Sequence, residues 1–244
     1  DNFCIDLSSV KSLITEKTKG IIAVNLFGHP SELKELRKIA DEKNIYLIED
    51  NAQAPLATEN KELTGTVGHI GVFSLNYHKH IHTGEGGMCI TNDEELATRL
   101  RMIRNHAESV VGPANISNLT NMIGFNYRMT ELSAAIGIAQ LSSIEKHVGD
   151  RKKFAEKISR IVDPMIGLKP PIVREKCSHV YYLWALKVSS KELGVSRSTL
   201  AKAMISEGFP CFEGYVEPLY MLPIFQQKKA FGKLNYPFNL TNRS

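Results

Sequence analysis

Apolar residues run in short unbroken blocks through the first part of the chain, and between the blocks they switch to a helical interval. Ile21-Ile-Ala-Val-Asn-Leu-Phe27 and Ile45-Tyr-Leu-Ile-Glu-Asp50 each read as a strand buried on both faces, the pattern of a parallel sheet. Between them Leu33, Leu36, Ile39 and Ala40 form one stripe of a helix over residues 31–43, with Ser31 as its N-cap and Asn44 as its stop. Strand, helix and strand at this spacing predict a βαβ unit with a right-handed crossover. A looser helical interval, Ile5, Leu7, Val10, Leu13 and Ile14, precedes it.

A second pattern begins at Ile70-Gly-Val-Phe-Ser-Leu75. This apolar run leads into Asn-Tyr-His-Lys79, then to Gly84, Gly86 and Gly87, and leaves through Met88-Cys-Ile-Thr91. It reads as strand, turn, strand, with a lysine at the bend, reached by a loop over residues 56–69. Asn92-Asp-Glu-Glu95 opens a helix carrying Leu96, Leu100 and Ile103, acidic at its start and basic at its end. Residues 106–122 read as an exposed loop long enough to carry a function or a contact. A helix starts near Met129 through Leu132, Ala135, Ile136, Ala139 and Ile144, and is expected to bend at Gly149-Asp150 before ending near Val162. After Pro164 the pattern changes. His179-Val-Tyr-Tyr-Leu-Trp-Ala-Leu-Lys-Val188 reads as an aromatic strand, residues 196–207 as a short helix and residues 208–212 as a further strand, together a small α+β domain.

Composition narrows the classes. The 244 residues carry 30 Lys and Arg against 26 Asp and Glu, a net charge of +4, too little for a field that selects nucleic acid or anionic lipid. No apolar run approaches the ~18 residues that a membrane span needs, so no membrane partner is expected. Cys4, Cys89, Cys177 and Cys211 lack metal-ligand spacing and fit reduced thiols in a cytoplasmic protein. The sequons at Asn115, Asn118, Asn239 and Asn242 are taken as chance, because nothing else points to secretion. Leu193-Gly-Val-Ser-Arg-Ser-Thr-Leu-Ala-Lys-Ala-Met204 has the outline of a helix-turn-helix, but an aromatic strand stands where its first helix belongs, so no nucleic-acid partner is expected. His78, His80 and His82 alternate, yet no carboxylate or thiol completes a ligand set, and no metal is expected.

Asp50 ends one buried strand and Ser74 another, and in open α/β sheets ligands sit at the carboxyl ends of strands. If the two strands are neighbours, Asp50, Gln53, Ser74 and Lys79 converge. An amine that can form an imine, an acid that keeps a pyridine nitrogen protonated and small donors for a phosphate are what pyridoxal phosphate chemistry requires. An unperturbed lysine has a pKa near ~10.4, so its neutral fraction at pH 7 is under ~0.1% until burial or charge lowers it. On spacing alone, the ordinary alternatives stay open: Lys79 as a solvated charge beside a turn, and Asp50 as a local cap.

Ile48-Glu-Asp-Asn-Ala-Gln-Ala54, Phe73-Ser-Leu75 with Lys79 and Thr83-Gly-Glu-Gly-Gly87, and Gly124-Phe-Asn-Tyr-Arg-Met129 resemble the DegT/StrS sugar aminotransferases. The likeness extends into His179-Val-Tyr-Tyr-Leu183 and Gly214-Tyr-Val-Glu-Pro-Leu-Tyr220. The resemblance implies an α/β fold of the PLP-transferase type (fold type I): a partial, mainly parallel sheet with helices on both faces, then a small α+β domain. It implies residues 1–148 as the C-terminal portion of a large PLP-binding domain, and residues 149–244 as a linking helix and small domain. By position, Lys79 matches the imine-forming lysine and Asp50 the partner of the pyridine nitrogen. Gln53 matches the contact to the ring hydroxyl and Ser74 a phosphate ligand. Asn126 matches a residue that reaches the cofactor of a neighbouring subunit, which implies a homodimer. Tyr215 and Glu217 are candidate sugar contacts.

The implied activity is transfer of an amino group from glutamate or glutamine to a keto sugar, expected to be nucleotide-linked, in amino-sugar or polysaccharide biosynthesis. Two alternatives remain: a keto-sugar dehydratase, in which a histidine replaces the lysine, and a non-catalytic regulator that retains the fold. His78 and His80 beside Lys79 make a one-position misalignment the point to check. Family members carry a further segment ahead of the position matching Asp1, including a Gly-Thr phosphate loop and an aromatic that stacks on the cofactor. Both ends are therefore expected to be cut, and the 244 residues alone to bind cofactor poorly.

Overall fold

A computed structural model describes residues 2–107, 122–233 and 235–240. By packing, the chain falls into two compact units, Asp1–Lys187 and Val188–Ser244. In chain order the first unit holds α1 (Leu7–Leu13), β1 (Gly20–Val24), α2 (Leu33–Glu42), β2 (Tyr46–Asp50), β3 (Thr58–Glu59), β4 (Glu62–Leu63), β5 (Ile70–Ser74), β6 (Gly87–Ile90), α3 (Glu94–Arg104), α4 (Glu131–Leu141) and α5 (Ile144–Val162). The main sheet runs β1-β2-β5-β6. β1, β2 and β5 are parallel, with Val24 beside Asp50 and Asp50 beside Val72. β6 returns antiparallel, with Ser74 beside Gly87. The expected βαβ unit is present. Of the loop expected over 106–122, residues 108–121 lie outside the described residues.

The α2 stripe, Leu33, Leu36, Ile39 and Ala40, packs on Ile21, Ala23 and Leu47. Removing such side chains from water contributes roughly 1.5–3 kcal/mol each. The expectation that β1 and β2 are buried on both faces is corrected. Ile22 and Tyr46, on the face away from α2, are 64% and 52% exposed among the described residues. An unbroken apolar run does not say how many layers cover it.

A second cluster, Ala54, Ala57, Leu75, Ile81, Ile144, Val148 and Val180, lies beneath the bend that carries Lys79. Leu75 and Ile81 anchor the two sides of the bend, and α5 supplies Ile144 and Val148. The helical region breaks at Ser142-Ser143, not at Gly149-Asp150 as expected, and α5 runs through Gly149 without interruption. A helical glycine costs only about 1 kcal/mol, and packing of Ile144 and Val148 decides the break. α4 buries none of its residues; Leu132 and Ile138 are 80% and 72% exposed.

Three further expectations are corrected. Ser31 does not cap α2; its hydroxyl donates to Val24 O (3.1 Å) and its N–H to Asn25 Oδ1 (2.8 Å). The aromatic run 179–188 is not a strand except at Lys187-Val188. Tyr181 sits at φ 51° and donates its N–H to the His179 ring at 2.9 Å, which takes the backbone out of an extended ladder. Residues 208–212 form no strand. In the second unit, the single-turn α6 (Ser190–Leu193) ends at Gly194 with φ 77°, and Ser196 caps α7 (Arg197–Ser206) by accepting from Thr199 N–H at 3.0 Å. The helix-turn-helix outline is thus a single turn followed by one helix.

Candidate active site

β2 and β5 are adjacent parallel strands, so Asp50 and Ser74 come to the same carboxyl edge of the sheet. Asn51 N–H donates to Val72 O (2.8 Å) and Asn25 N–H to Asp50 O (3.0 Å), which holds the three strand ends level. Asp50 accepts from Ala52 N–H through Oδ1 at 3.1 Å. No helix follows it, so this is a local turn contact and not a helix cap. Ser74 Oγ accepts from Asn76 N–H at 3.3 Å.

The bend from Leu75 to Gly86 is closed by its own backbone. Leu75 N–H donates to Gly86 O and Thr83 N–H to Leu75 O, both at 2.9 Å. Asn76 organises the interior: its O accepts from Lys79 N–H (2.9 Å), its Oδ1 from His78 N–H (3.1 Å), and its Nδ2 donates to Glu85 Oε1 (2.7 Å). From α4, Gln140 grips His82 in both directions, accepting from His82 N–H at 3.0 Å and donating to His82 O at 2.7 Å. This lattice sets where residue 79 starts from the sheet.

Lys79 is half-buried, and its Nζ lies 4.7 Å from the centre of the Tyr182 ring. Burial pushes its amine below the ordinary lysine value, and the Asp50 carboxylate pulls the other way. Carboxylate, hydroxyl and amine are therefore gathered at one edge. The histidines on either side behave differently. His78 is exposed, its ring 3.7 Å from that of Tyr77. His80 is buried and hydrogen-bonded through Nε2 to Val180 O at 3.1 Å. Burial first, then Arg151 and Lys79, hold the His80 imidazole at about 4 against the opposing effect of the Val180 bond. The Asp50 carboxylate thus favours the charged Lys79 amine, and the His80 ring is held at Val180. His78, His80 and His82 do not converge, and no group of three or more His, Cys, Asp or Glu among the described residues is arranged to hold a metal.

Gln53 is buried, and its Oε1 accepts from Phe27 N–H at 2.7 Å, where Phe27 stands at φ 59°. That bond fixes the Gln53 amide beside the Phe27 turn. Asn126 is exposed, bridged by its backbone to Asn105, between Phe125 and Tyr127, whose rings stack at 4.9 Å. Tyr215 and Glu217 lie in the second unit and are exposed.

The composition of the edge fits pyridoxal phosphate. It offers one amine depressed by burial, one acid on the neighbouring strand, a buried amide in the turn after that strand and a hydroxyl at a strand terminus. Sequence reasoning missed the clasp made by Glu49, the Tyr182 ring beside Lys79 and the tie from His80 to Val180. Glu49 is fully buried and accepts from Gly65 N–H (2.6 Å), Val67 N–H (2.8 Å) and Gly68 N–H (2.5 Å), which clasps the loop ahead of β5. The signal was its alternation with Asp50: a carboxylate on the same strand face as Leu47 needs donors.

Residues 1–241 match the DegT/DnrJ/EryC1/StrS aminotransferase family. The GDP-perosamine synthase of Caulobacter vibrioides is 31% identical over 228 residues, which are 91% of this chain and 58% of that protein. The Escherichia coli GDP-4-keto-6-deoxy-D-mannose-3-dehydratase with bound hydrated PLP superposes with a TM-score of 0.74 at 32% identity, over 85% of this chain and 56% of that one. The aminotransferase from Psychrobacter cryohalolentis superposes with a TM-score of 0.80 at 30% identity, over 93% and 62%. The chain spans less than two thirds of the length of the curated relatives it matches.

Proposed function

Because the chain belongs to the DegT/DnrJ/EryC1/StrS aminotransferase family, we propose that its protein is a PLP-dependent transaminase that moves an amino group from glutamate or glutamine to a keto sugar, nucleotide-linked, in glycan biosynthesis. The observation that carries this reading is the placement of the half-buried Lys79 amine at the bend after β5 and of Asp50 at the carboxyl end of the adjacent parallel strand β2. In this reading residues 1–148 belong to the large cofactor domain, and residues 149–244 are a linking helix and small domain.

Bound pyridoxal phosphate supplies an electron sink for the carbon that loses or gains the amino group. Lys79 holds the cofactor through Nζ and, when released, carries a proton at Nζ to or from that carbon. Its half-buried site favours the neutral amine that this step needs. Asp50 accepts a hydrogen bond from the pyridine N–H and favours the protonated ring, an interaction worth roughly 1.5–3 kcal/mol for a charged pair. Gln53 contacts the ring hydroxyl, and Ser74 donates its hydroxyl to the phosphate. Asn126 reaches the neighbouring site in a homodimer, a role its exposure and its flanking stacked aromatics support. Tyr215 and Glu217 contact the sugar. We place the protein in the cytoplasm; no described helix is long and apolar enough to cross a membrane.

The E. coli relative, a 3-dehydratase, supplies the second reading, in which the sugar loses water instead of gaining nitrogen. Asp50 acts on Lys79, while the neighbouring His80 ring is held by Val180, which supports lysine chemistry at this position. The test is mass spectrometry of products from a panel of nucleotide keto sugars with glutamate, using the full-length protein. Nitrogen in the sugar is expected, and Lys79→Ala abolishes it. A nitrogen-free deoxysugar establishes the dehydratase, and no reaction with no borohydride-trapped cofactor on Lys79 establishes a regulator.

A further inference from the structure

The segment that follows His179 is pinned on three sides. Val180 N–H donates to Gly28 O (2.9 Å) and Leu183 N–H to Phe27 O (3.4 Å), beside the turn that orients Gln53. Arg151 reaches Tyr181 O (3.3 Å) and Tyr182 O (3.5 Å) from α5. His80 reaches Val180 O (3.1 Å) from the bend that carries Lys79. A carbonyl only accepts, so His80 carries its proton on Nε2. Its Nδ1 is then a buried lone pair with no hydrogen-bond partner among the described residues. That arrangement sacrifices one polar atom to tie position 80 to a segment a hundred residues away in sequence. The tie brings the face of the Tyr182 ring under the Lys79 ammonium, 4.7 Å away and inside the ~6 Å range of cation–π attraction.

We propose that the Tyr182 ring face is the seat of the Lys79 amine when that amine is not bonded, and that His80 is a positioning residue that aligns bend and seat. Two attractions then hold the charged amine, the Asp50 carboxylate and the Tyr182 ring, and the ring holds it by its π face, with no acceptor to take the proton. An amine that rests there keeps a defined direction and returns to one place after each release. Arg151 bears on His80, and His80 is neutral with its proton on Nε2. The role of the amine in turnover rests on the transaminase reading; the seat does not.

The test is a titration of Lys79 in the chain labelled with [13C-ε]lysine, its signal assigned by loss in Lys79→Arg. It needs no cofactor, so it is decided separately from borohydride trapping, which tests the transaminase reading. In the unaltered chain the ε-methylene is expected upfield of ordinary lysines, shielded by the ring. An ordinary shift overturns the seat without any variant. Tyr182→Leu is expected to lower the titration midpoint by about half a unit, because the ring favours the charged form, whereas Tyr182→Phe leaves it in place. An unchanged or raised midpoint in Tyr182→Leu, or an equal drop in Tyr182→Phe, overturns the proposal. His80→Ala is expected to give the same drop with the ring still present, and His80→Gln, which can donate to Val180 O, to restore the midpoint. A wild-type midpoint and upfield shift in His80→Ala remove His80 from the proposal.

Discussion

Glu49→Gln isolates what the buried clasp contributes, since the two side chains are nearly the same size and no cavity forms. In the native chain Oε2 accepts from Gly65 N–H, and Oε1 from Val67 and Gly68 N–H, at 2.5–2.8 Å. Glutamine keeps one oxygen, which can retain the Val67 and Gly68 bonds as neutral ones. Its NH2 then faces Gly65 N–H, donor against donor. One charged hydrogen bond, worth about 1.5–3 kcal/mol, is lost, and its N–H is left buried at a further cost of about 1–3 kcal/mol. Removing a charge from a fully buried site returns part of this, because desolvation of a carboxylate opposes folding. The stranded donor decides the sign, and a net loss of roughly 2–4 kcal/mol is expected. That is a large share of a domain stability of about 5–15 kcal/mol. Urea unfolding of the two proteins at pH 7, with hydrogen exchange at residues 65, 67 and 68, measures it. A loss below about 1 kcal/mol with those amides still protected would refute the clasp.

Other outcomes follow from the same geometry. Asp50→Asn in the full-length protein removes the charge that favours a protonated ring, and turnover is expected to fall by orders of magnitude with the fold intact; a wild-type rate takes Asp50 out of the chemistry. Gly71→Ala should leave little folded protein, because a Cβ there collides with the Gly65 carbonyl under the clasped loop; a circular dichroism spectrum and melting point like the parent's would contradict this. Acid should unfold the chain early. His29 and His80 titrate at about 4 and His179 at about 3, each held down first by burial, against 6.5 when free. The unfolded chain therefore takes up protons first, and stability present above ~6.5 is lost as the pH falls toward 4, by at most about 2 kcal/mol per ring at pH 5. A urea midpoint that is the same at pH 7 and pH 5 refutes it.

Much of the site was legible because it lies in local patterns. The βαβ unit needed only the switch from unbroken apolar runs to the Leu33-Leu36-Ile39-Ala40 stripe, and that unit alone puts Asp50 at a carboxyl edge. The glycines after Lys79 announced a bend before any contact was known. What stayed hidden depends on residues far apart in sequence. Nothing near His80 points to Val180, and nothing near Gly65 points to Glu49, though an acid on Leu47's face of a buried strand was a usable clue. The aromatic run 179–188 resembles a strand by composition. Its conformation is decided by the Tyr181 N–H bonding the His179 ring and by stacking of those two rings at 4.1 Å, features a period-two pattern does not contain. The β3–β4 hairpin escaped notice because its strands are two residues each.

Glu49 and Asp50 are neighbours that face opposite ways, and the difference between them guards the alignment of the whole sheet. Sliding β2 by one position would set either the shorter Asp50 carboxylate or the apolar Ile48 before the amides that Glu49 holds, and would take Asp50 from its place at the carboxyl edge. Ladder bonding alone would tolerate that shift; the amides left without Glu49 would not. A pair of adjacent acids, which looks redundant on paper, therefore acts as a key that admits a single threading of this strand.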